Sequence, residues 1–211
     1  MVTRTYRLDH DLGFAPNPFF GWCSLACCMR NIRESAELND VIIGIAGSNQ
    51  RGLGRYHPQL IYWMRVDLDL TFDQYWSDPR FVQKRPQIPG PKMRMVGDST
   101  YRHEPDCIDW SFGMSMHYVA GAAQTDGGHV VRDTKADRVL LSQYYTYWGK
   151  SGPAVPAHLL PLFPRRNQKC NHDAALLAEL HDFIRLDQPL GLVGDPADWD
   201  NQKYFKAQAL S

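Results

Sequence analysis

The sequence predicts an α+β fold: a twisted, partly closed, β-barrel-like sheet with short helices, long loops and a C-terminal helix. Three segments, Val41–Ser48, Leu60–Leu70 and Asp137–Gly149, are rich in branched and aromatic residues over strand-like lengths. The connections between them lack the regular long helices that join strands in βαβ proteins. Near the C-terminus, apolar residues recur at helical spacing over Ala174–Leu186, which indicates one amphipathic helix.

The remaining predicted elements are short. Thr3–Asp9 alternates as a first strand, and Asn31–Leu38 carries its apolar residues on one side of a short helix. Phe72–Lys84 is predicted to form a short helix that Pro79 interrupts. Arg85–Trp110 is rich in proline, glycine and charge, so we expect a long loop there. A loop of that length in a compact domain is more often functional than idle.

The chain is expected to form one domain over residues 1–165, with a C-terminal helix and tail, residues 166–211, packed on it. Asn171 or Asp173 is placed to cap that helix. Of the 211 residues, 44% are hydrophobic and 12% aromatic. This composition suffices for a substantial core and favours a ligand site lined by rings.

The charge balance bears on the choice of partner. Lys and Arg together number 23, as do Asp and Glu, so the formal net charge is zero. A protein that grips duplex DNA mainly through its phosphates is normally basic. The balance therefore argues against sequence-independent electrostatic binding of duplex DNA, without excluding nucleic acid as a partner.

The sequence predicts a cytoplasmic protein with no membrane partner. The N-terminal residues MVTRTYRLDHDLG lack the apolar run of a signal peptide, and no segment approaches the length of a membrane-spanning helix. Five cysteines is an odd number, and three of them crowd one short segment. Such usage is typical of free thiols in a reducing compartment.

The segment HDLGFAPNPFFGWCSLACCMRNIR, residues 10–33, is the most unusual part of the sequence. Prolines on both sides of Asn17 stiffen the chain, so its amide can meet the edge of a nucleobase with little loss of entropy. Phe19 and Trp22 are candidate stacking faces for such a base. Alternatively, the loop covers one end of the sheet and its rings fill the core. The sequence favours neither interpretation.

The candidates for catalysis are two thiols, a carboxylate and a histidine. Cys27 or Cys28 precedes a short helix and lies near two arginines, which favour a thiolate nucleophile, although both can be inert core residues. His117 is the best candidate general base, or else a buried core histidine. Asp98 brings a carboxylate to a pocket or serves a turn. Arg33 binds a phosphate or pairs with nearby glutamates.

No familiar catalytic signature accompanies these residues. The sequence contains no glycine-rich phosphate loop, GxSxG elbow or HExxH motif. A structural zinc site needs four converging ligands, usually in two pairs, and the cysteines do not provide them at that spacing. We therefore predict no metal, and the cofactor stays unknown.

Residues 10–48, HDLGFAPNPFFGWCSLACCMRNIRESAELNDVIIGIAGS, resemble the second nucleotide-modification-associated domain family. Its members occur in bacteria and bacteriophages and are described as nucleotide or DNA base modification proteins. The similarity continues through LIYWMRVDLDLTFDQYWSDPRFVQKRP and VGDSTYRHEP to RVLLSQYYTYWG, over roughly residues 5–165. Met29 and Arg30 stand where the family has Lys-Pro. A weaker, fold-level likeness to EVE and related PUA-like domains implies a small β-barrel that binds modified bases in an aromatic-lined cleft.

The resemblance implies a nucleotide or DNA base modification protein that binds a nucleobase or nucleotide in an aromatic-lined pocket. The substrate-binding candidates are Asp11, Asn17, Phe19, Trp22, Arg33 and Tyr101, and the catalytic candidates are Cys27, Cys28, Asp98 and His117. The alternative is a non-catalytic reader of modified bases in DNA or RNA. The partner in either case is a nucleotide or modified nucleobase, free or within DNA. The oligomeric state and the presence of any catalysis are left open.

Overall fold

The computed structural model describes residues 1–47, 58–112, 127–200 and 205. The strands are β1 (Thr3–Leu8), β2 (Cys23–Leu25), β3 (Val41–Ala46), β4 (Leu60–Arg65), β5 (Leu68–Leu70), β6 (Tyr101–His103), β7 (Trp110–Phe112), β8 (Val139–Ser142), β9 (Tyr145–Tyr147), β10 (Gln168–Lys169) and β11 (Gly191–Leu192). The α-helices are α1 (Arg30–Ser35), α2 (Phe72–Ser77), α3 (Lys92–Met95), α4 (Gly127–Thr134) and α5 (Ala174–Ile184). Short 3-10 helices span Pro79–Lys84, Gly149–Ser151 and Ala157–Leu162. None of the described helices combines the length and the hydropathy that a bilayer crossing requires.

A six-stranded mixed sheet forms the centre of the fold, in the order β10-β1-β3-β4-β9-β11. β1 and β3 are parallel over their whole length, from Thr3 opposite Val41 to Leu8 opposite Ala46. A parallel pair requires a crossover connection, which β2 and α1 provide. The carboxyl ends of β1 and β3 therefore lie side by side at one end of the sheet.

The sheet is open in the described part of the chain. This confirms the α+β class with short helices, but the expected partly closed barrel does not form there. The two edges, β10 and β11, are strands of two residues each at opposite ends of the strand order. Strands this short offer too few backbone donors and acceptors to continue the pairing around a barrel.

Two of the predicted long strands bend and divide between this sheet and a second sheet, β2-β8-β5. The predicted strand Leu60–Leu70 becomes β4 and β5, and Asp137–Gly149 becomes β8 and β9. At this corner, Asp67 Oδ2 accepts hydrogen bonds from Gln143 N at 2.9 Å and from Tyr144 N at 3.1 Å. The carboxylate thus satisfies backbone donors that leave the strand ladder at the bend.

A different layer covers each face of the main sheet. On one face, Ile43 and Ile45 pack against α5 and the 3-10 helix Ala157–Leu162. On the other face, Ile42 and Met64 pack with residues of α1 and of the second sheet. A third apolar cluster lies beyond the second sheet, where α2 and α4 pack.

The predicted C-terminal helix is confirmed as α5. Asp173 caps it by accepting hydrogen bonds from Ala175 N and Leu176 N, each at 3.0 Å. The Thr3 hydroxyl lies 2.9 Å from His181 Nε2, which ties the helix to β1. The division of the chain after residue 165 stays a prediction.

The segment expected to be a long loop, Arg85–Trp110, contains α3, β6 and the start of β7. Its middle is buried, including Val96 and Asp98. At Gly97, a Cβ atom would lie 2.4 Å from the carbonyl oxygen of Lys84, so this close approach of two backbone segments requires glycine. The approach brings Asp98 into the interior.

Candidate functional site

A cavity of about 280 Å³ opens at the carboxyl end of β1. Its lining residues are Tyr6, Arg7, Leu8, Asp9, His10, Leu12, Phe14, Ala15, Cys28 and Met29. Open sheets with parallel strands bind ligands beyond the carboxyl ends of those strands, which is where this cavity lies. Its volume is close to the lower limit of small-molecule sites, which span roughly 300–1,000 Å³. Size and position both suit a small ligand.

The cavity wall formed by β1 and the loop after it is apolar and aromatic. Alternation along the strand points Tyr6 and Leu8 to the same side, and Phe14 adds a second ring. The Tyr6 hydroxyl lies 2.9 Å from the Tyr62 hydroxyl, which holds the Tyr6 ring in place. Alternation places Arg7 on the opposite side of β1, so Arg7 marks the rim of the cavity and not its floor.

Cys28 and Met29, which lie in the connection between β2 and α1, also line the cavity. Both have left-handed backbone conformations, with φ of 57° and 35°. The Cys28 amide donates to Asp133 Oδ1 at 3.3 Å, and the Tyr101 hydroxyl donates to Asp133 Oδ2 at 3.1 Å. The buried carboxylate of Asp133 therefore joins Cys28 to Tyr101. Of the predicted site residues that the structure describes, only Cys28 lines the cavity.

Arg33 lies behind Cys28, with its guanidinium group turned inward. It donates to the carbonyl oxygens of Cys28 at 3.0 Å, Ala136 at 2.6 Å, Arg138 at 2.8 Å and Asp133 at 2.6 Å. Its side chain is fully buried. These contacts tie α1 to the end of α4. In this conformation Arg33 binds backbone carbonyl oxygens and is not among the residues that line the cavity. Phosphate binding by Arg33 stays a prediction.

Both candidate nucleophiles are protonated at neutral pH in this structure. Burial, followed by the negative charge of Asp133, raises the pKa of the Cys28 thiol to about 12. The same two causes raise the pKa of Cys27 well above its ordinary value, and Cys27 is fully buried. A nucleophilic cysteine needs a lowered pKa, because the thiolate is the reactive form. The catalytic roles of both thiols stay predictions.

Asn17 and Asp98 belong to a second, fully buried group. The Asn17 amide donates from Nδ2 to Val96 O at 2.9 Å and accepts at Oδ1 from Lys84 Nζ at 2.8 Å. Asp98 accepts from the Ser24 hydroxyl at 2.6 Å and from the Tyr75 hydroxyl at 2.8 Å.

In this second group, Lys84 also donates to Ser24 Oγ at 3.0 Å, so a lysine, a serine and Asp98 form one chain of hydrogen bonds. Cys27 Sγ lies 3.7 Å from the carbonyl oxygen of Asp98. The polar atoms of Asn17 and Asp98 are used within the protein in this conformation, and their roles in base recognition and catalysis stay predictions.

Asp11 and Phe19 belong to a third group, formed with the C-terminal tail. Asp11 Oδ2 accepts from Ala197 N at 2.9 Å, and its other carboxylate oxygen accepts from the Tyr147 hydroxyl. The Phe19 ring stacks on Trp199, with centroids 5.4 Å apart. The tail thus holds the loop whose other residues line the cavity.

We expect the attachment of the tail to depend on pH through Asp11. Burial, with a contribution from the charge of Asp198, raises the Asp11 pKa to about 6. An unfolded aspartate has a pKa of about 3.9, so the folded protein binds this proton more tightly. The contribution of Asp11 to stability is therefore fully present below pH ~4 and is lost as the pH rises through 6.

The check compares the unfolding free energies of the wild type and Asp11→Asn across this pH range. Relative to the variant, the wild type should gain about 2 kcal/mol between pH ~7 and pH ~4. Asp195→Asn, on an exposed residue of the same tail, is the control and should keep the wild-type pH dependence. If the unfolding free energies of the wild type and Asp11→Asn depend on pH in the same way, Asp11 is not the source of this pH dependence.

The expected single pocket is therefore not assembled from the predicted residues that the structure describes. They lie in the three groups above, apart from Trp22, a half-buried residue whose ring contacts Phe81 at 5.4 Å. His117 lies outside the described residues. Sequence reasoning missed Lys84 and Asp133, which complete the two inner networks, because nothing local marks a charged residue as buried.

One protein-family model matches most of the chain. Residues 3–203 match the family described as nucleotide modification associated domain 2. No curated protein and no solved structure gives a significant match. Because the match extends over most of its length, the chain belongs to the nucleotide modification associated domain 2 family.

Proposed function

We propose that this protein acts in nucleotide modification by holding a nucleobase or nucleotide in the cavity at the carboxyl end of β1. Family membership supports the general role in nucleotide modification. The observation that carries the choice of site is that the segment His10–Met29, which holds the family-like motif, contributes most of the cavity lining.

The chemistry of the lining suits a planar, largely apolar ring system. Tyr6, Phe14 and His10 present three rings, and every nucleobase offers a π-face for contact with such side chains. Asp9, an exposed carboxylate at the rim, can accept hydrogen bonds from a sugar or from the edge of a base. Cys28 would touch the ligand as a thiol, with Asp133 and Tyr101 behind it.

Three of the other predicted site residues support this cavity indirectly. Asp11 and Phe19 hold the loop through the tail, and Arg33 holds the turn that carries Cys28. We therefore propose positioning roles for these three residues. The high pKa of the Cys28 thiol favours non-covalent binding over attack by a thiolate in the ligand-free protein.

The proposal can be tested by thermal shift with a panel of nucleobases, nucleosides and nucleotides. A ligand at saturating concentration should stabilise the protein by about 2–4 kcal/mol. Ala15→Leu adds volume to the cavity wall and should abolish this stabilisation while the protein stays folded by circular dichroism. Ala178→Leu, on the exposed side of α5, is the matched control and should respond like the wild type.

Two outcomes would overturn the proposed site. One is that no member of the panel stabilises the wild type, and the other is that Ala15→Leu binds as well as Ala178→Leu. Mass spectrometry of the recovered ligand separates the two functional hypotheses. A modifying enzyme supplied with its co-substrates yields a changed base, whereas a reader of modified bases returns the ligand unchanged.

A further inference from the structure

One histidine of the cavity lining has a buried carboxylate beside it. His10 lines the cavity, and its side chain is half exposed. Its Nδ1 lies 3.7 Å from Oδ2 of Asp198, an aspartate of the C-terminal tail that is only 3% exposed. At this distance the charge of a buried carboxylate acts directly on one nitrogen of the imidazole ring.

The tail holds Asp198 in place next to His10. Asp198 Oδ2 accepts a hydrogen bond from Asp11 N at 2.8 Å, and the Asp198 amide donates to Asp11 O at 2.9 Å. The next tail residue, Trp199, donates from Nε1 to Leu12 O at 2.8 Å, and Leu12 also lines the cavity. The carboxylate is therefore fixed relative to the loop that carries His10 and Leu12.

The carboxylate determines which nitrogen of the neutral His10 ring carries the proton. In a neutral imidazole, one nitrogen donates a hydrogen bond and the other accepts one, and the surroundings of the ring select the tautomer. A negative charge near Nδ1 attracts an N–H group and repels a lone pair, so it favours the proton on Nδ1. Nε2, which lies farther from Asp198, is then a hydrogen-bond acceptor.

The other polar side chains of the lining add little donor capacity to this wall. Asp9, at the rim, is also an acceptor, and the Cys28 thiol is only a weak donor. Arg7 is a strong donor, but alternation along β1 points it away from the side on which Tyr6 and Leu8 lie. The cavity wall therefore offers mainly acceptors to the edge of a bound base.

We propose that His10, positioned by Asp198, selects a nucleobase that carries an exocyclic amino group. This inference rests on the proposed function and narrows its substrate class to bases such as cytosine and adenine. Their amino groups can donate a hydrogen bond to Nε2 of His10. At the same position, uracil and hypoxanthine present a carbonyl oxygen, whose lone pair would face the lone pair of Nε2.

Isothermal titration calorimetry with matched nucleoside 5′-monophosphates tests the inference. One pair is cytidine and uridine monophosphate, and the other is adenosine and inosine monophosphate, so each pair exchanges an amino group for an oxygen. Of each pair that binds, the wild type should prefer the amino member roughly tenfold, as expected for one hydrogen bond. His10→Phe keeps a ring at this position and should lose the preference. His158→Phe, at another half-exposed histidine beside a carboxylate, should retain it.

Nitrogen-15 NMR of the His10 ring tests the positioning role of Asp198. The ring signals, assigned by their loss in His10→Phe, should show the proton of the neutral ring on Nδ1. In Asp198→Asn this tautomer should no longer predominate, and the preference for the amino member should fall with it. Asp195→Asn, in the same tail, should leave the tautomer and the preference unchanged. A neutral wild-type ring with its proton on Nε2 would overturn the inference.

The binding results separate this inference from the proposed function. If neither the two pairs nor the thermal-shift panel yields a ligand, the proposed function fails, and this inference fails with it. If both members of a pair bind equally well, if the oxygen-bearing member binds more tightly, or if His10→Phe keeps the wild-type preference, this inference alone is wrong. The cavity then still binds a base, but His10 does not select it.

Discussion

Replacing Lys84 by methionine should lower the unfolding free energy by about 3–5 kcal/mol. Lys84 is buried, and Nζ donates to Asn17 O at 2.8 Å, to Trp22 O at 2.7 Å and to Ser24 Oγ at 3.0 Å. Methionine fills a similar volume but donates no hydrogen bond. The substitution therefore leaves Trp22 O without its donor and removes the positive charge that lies near the buried Asp98 carboxylate, although Asn17 O and Ser24 Oγ keep other donors.

Urea denaturation measures this effect. Lys150→Met is the matched control, because Lys150 is half exposed and pairs at 3.4 Å with the exposed carboxylate of Asp195. We expect the control to cost no more than about 1 kcal/mol. Similar losses for the two variants would show that the Lys84 network adds no stability. The double variant Lys84→Met/Asp98→Asn should lose less than the sum of the single variants, because it also removes the orphaned carboxylate.

Replacing Arg33 by methionine should cost about 3–4 kcal/mol. The change removes four hydrogen bonds to backbone carbonyl oxygens, although Ala136 O keeps another donor, the Arg138 amide at 2.7 Å. Arg33→Lys should recover little of the loss, because a single ammonium group cannot reach acceptors spread around a planar fork. The guanidinium carbon also lies 5.4 Å from the centroid of the Phe72 ring, a contact that methionine loses.

The control for Arg33 lies on the same helix. Arg30 is partly exposed and pairs with Glu34 at 3.3 Å, so Arg30→Met should cost no more than about 0.5 kcal/mol. This comparison also tests the sequence-based hypothesis that Arg33 binds a phosphate. If Arg33→Met and Arg33→Lys keep wild-type stability and lose only nucleotide affinity, then Arg33 is a ligand residue and its structural role is wrong.

The sequence predicted the elements whose signals are local. The predicted apolar strand Val41–Ser48 contains β3 (Val41–Ala46), and the helical spacing over Ala174–Leu186 contains α5 (Ala174–Ile184) with the predicted Asp173 cap. The candidate site was predicted less well. The segment His10–Met29 does line the cavity, but through residues such as Phe14 and not through Asn17 or Phe19. A stiff loop next to a cluster of rings is visible in a sequence, whereas the direction in which each ring points is not.

The sequence by itself determined the fold class, the main strands, the last helix and the family-like motif. The tertiary structure alone decided that the sheet stays open, that two strands bend at Asp67, and that Asn17 and Arg33 point inward. The physical reason is that periodicity and capping act over a few residues. The burial of a charged group depends instead on partners far away in the chain, such as Lys84 for Asn17 and Ala136 for Arg33.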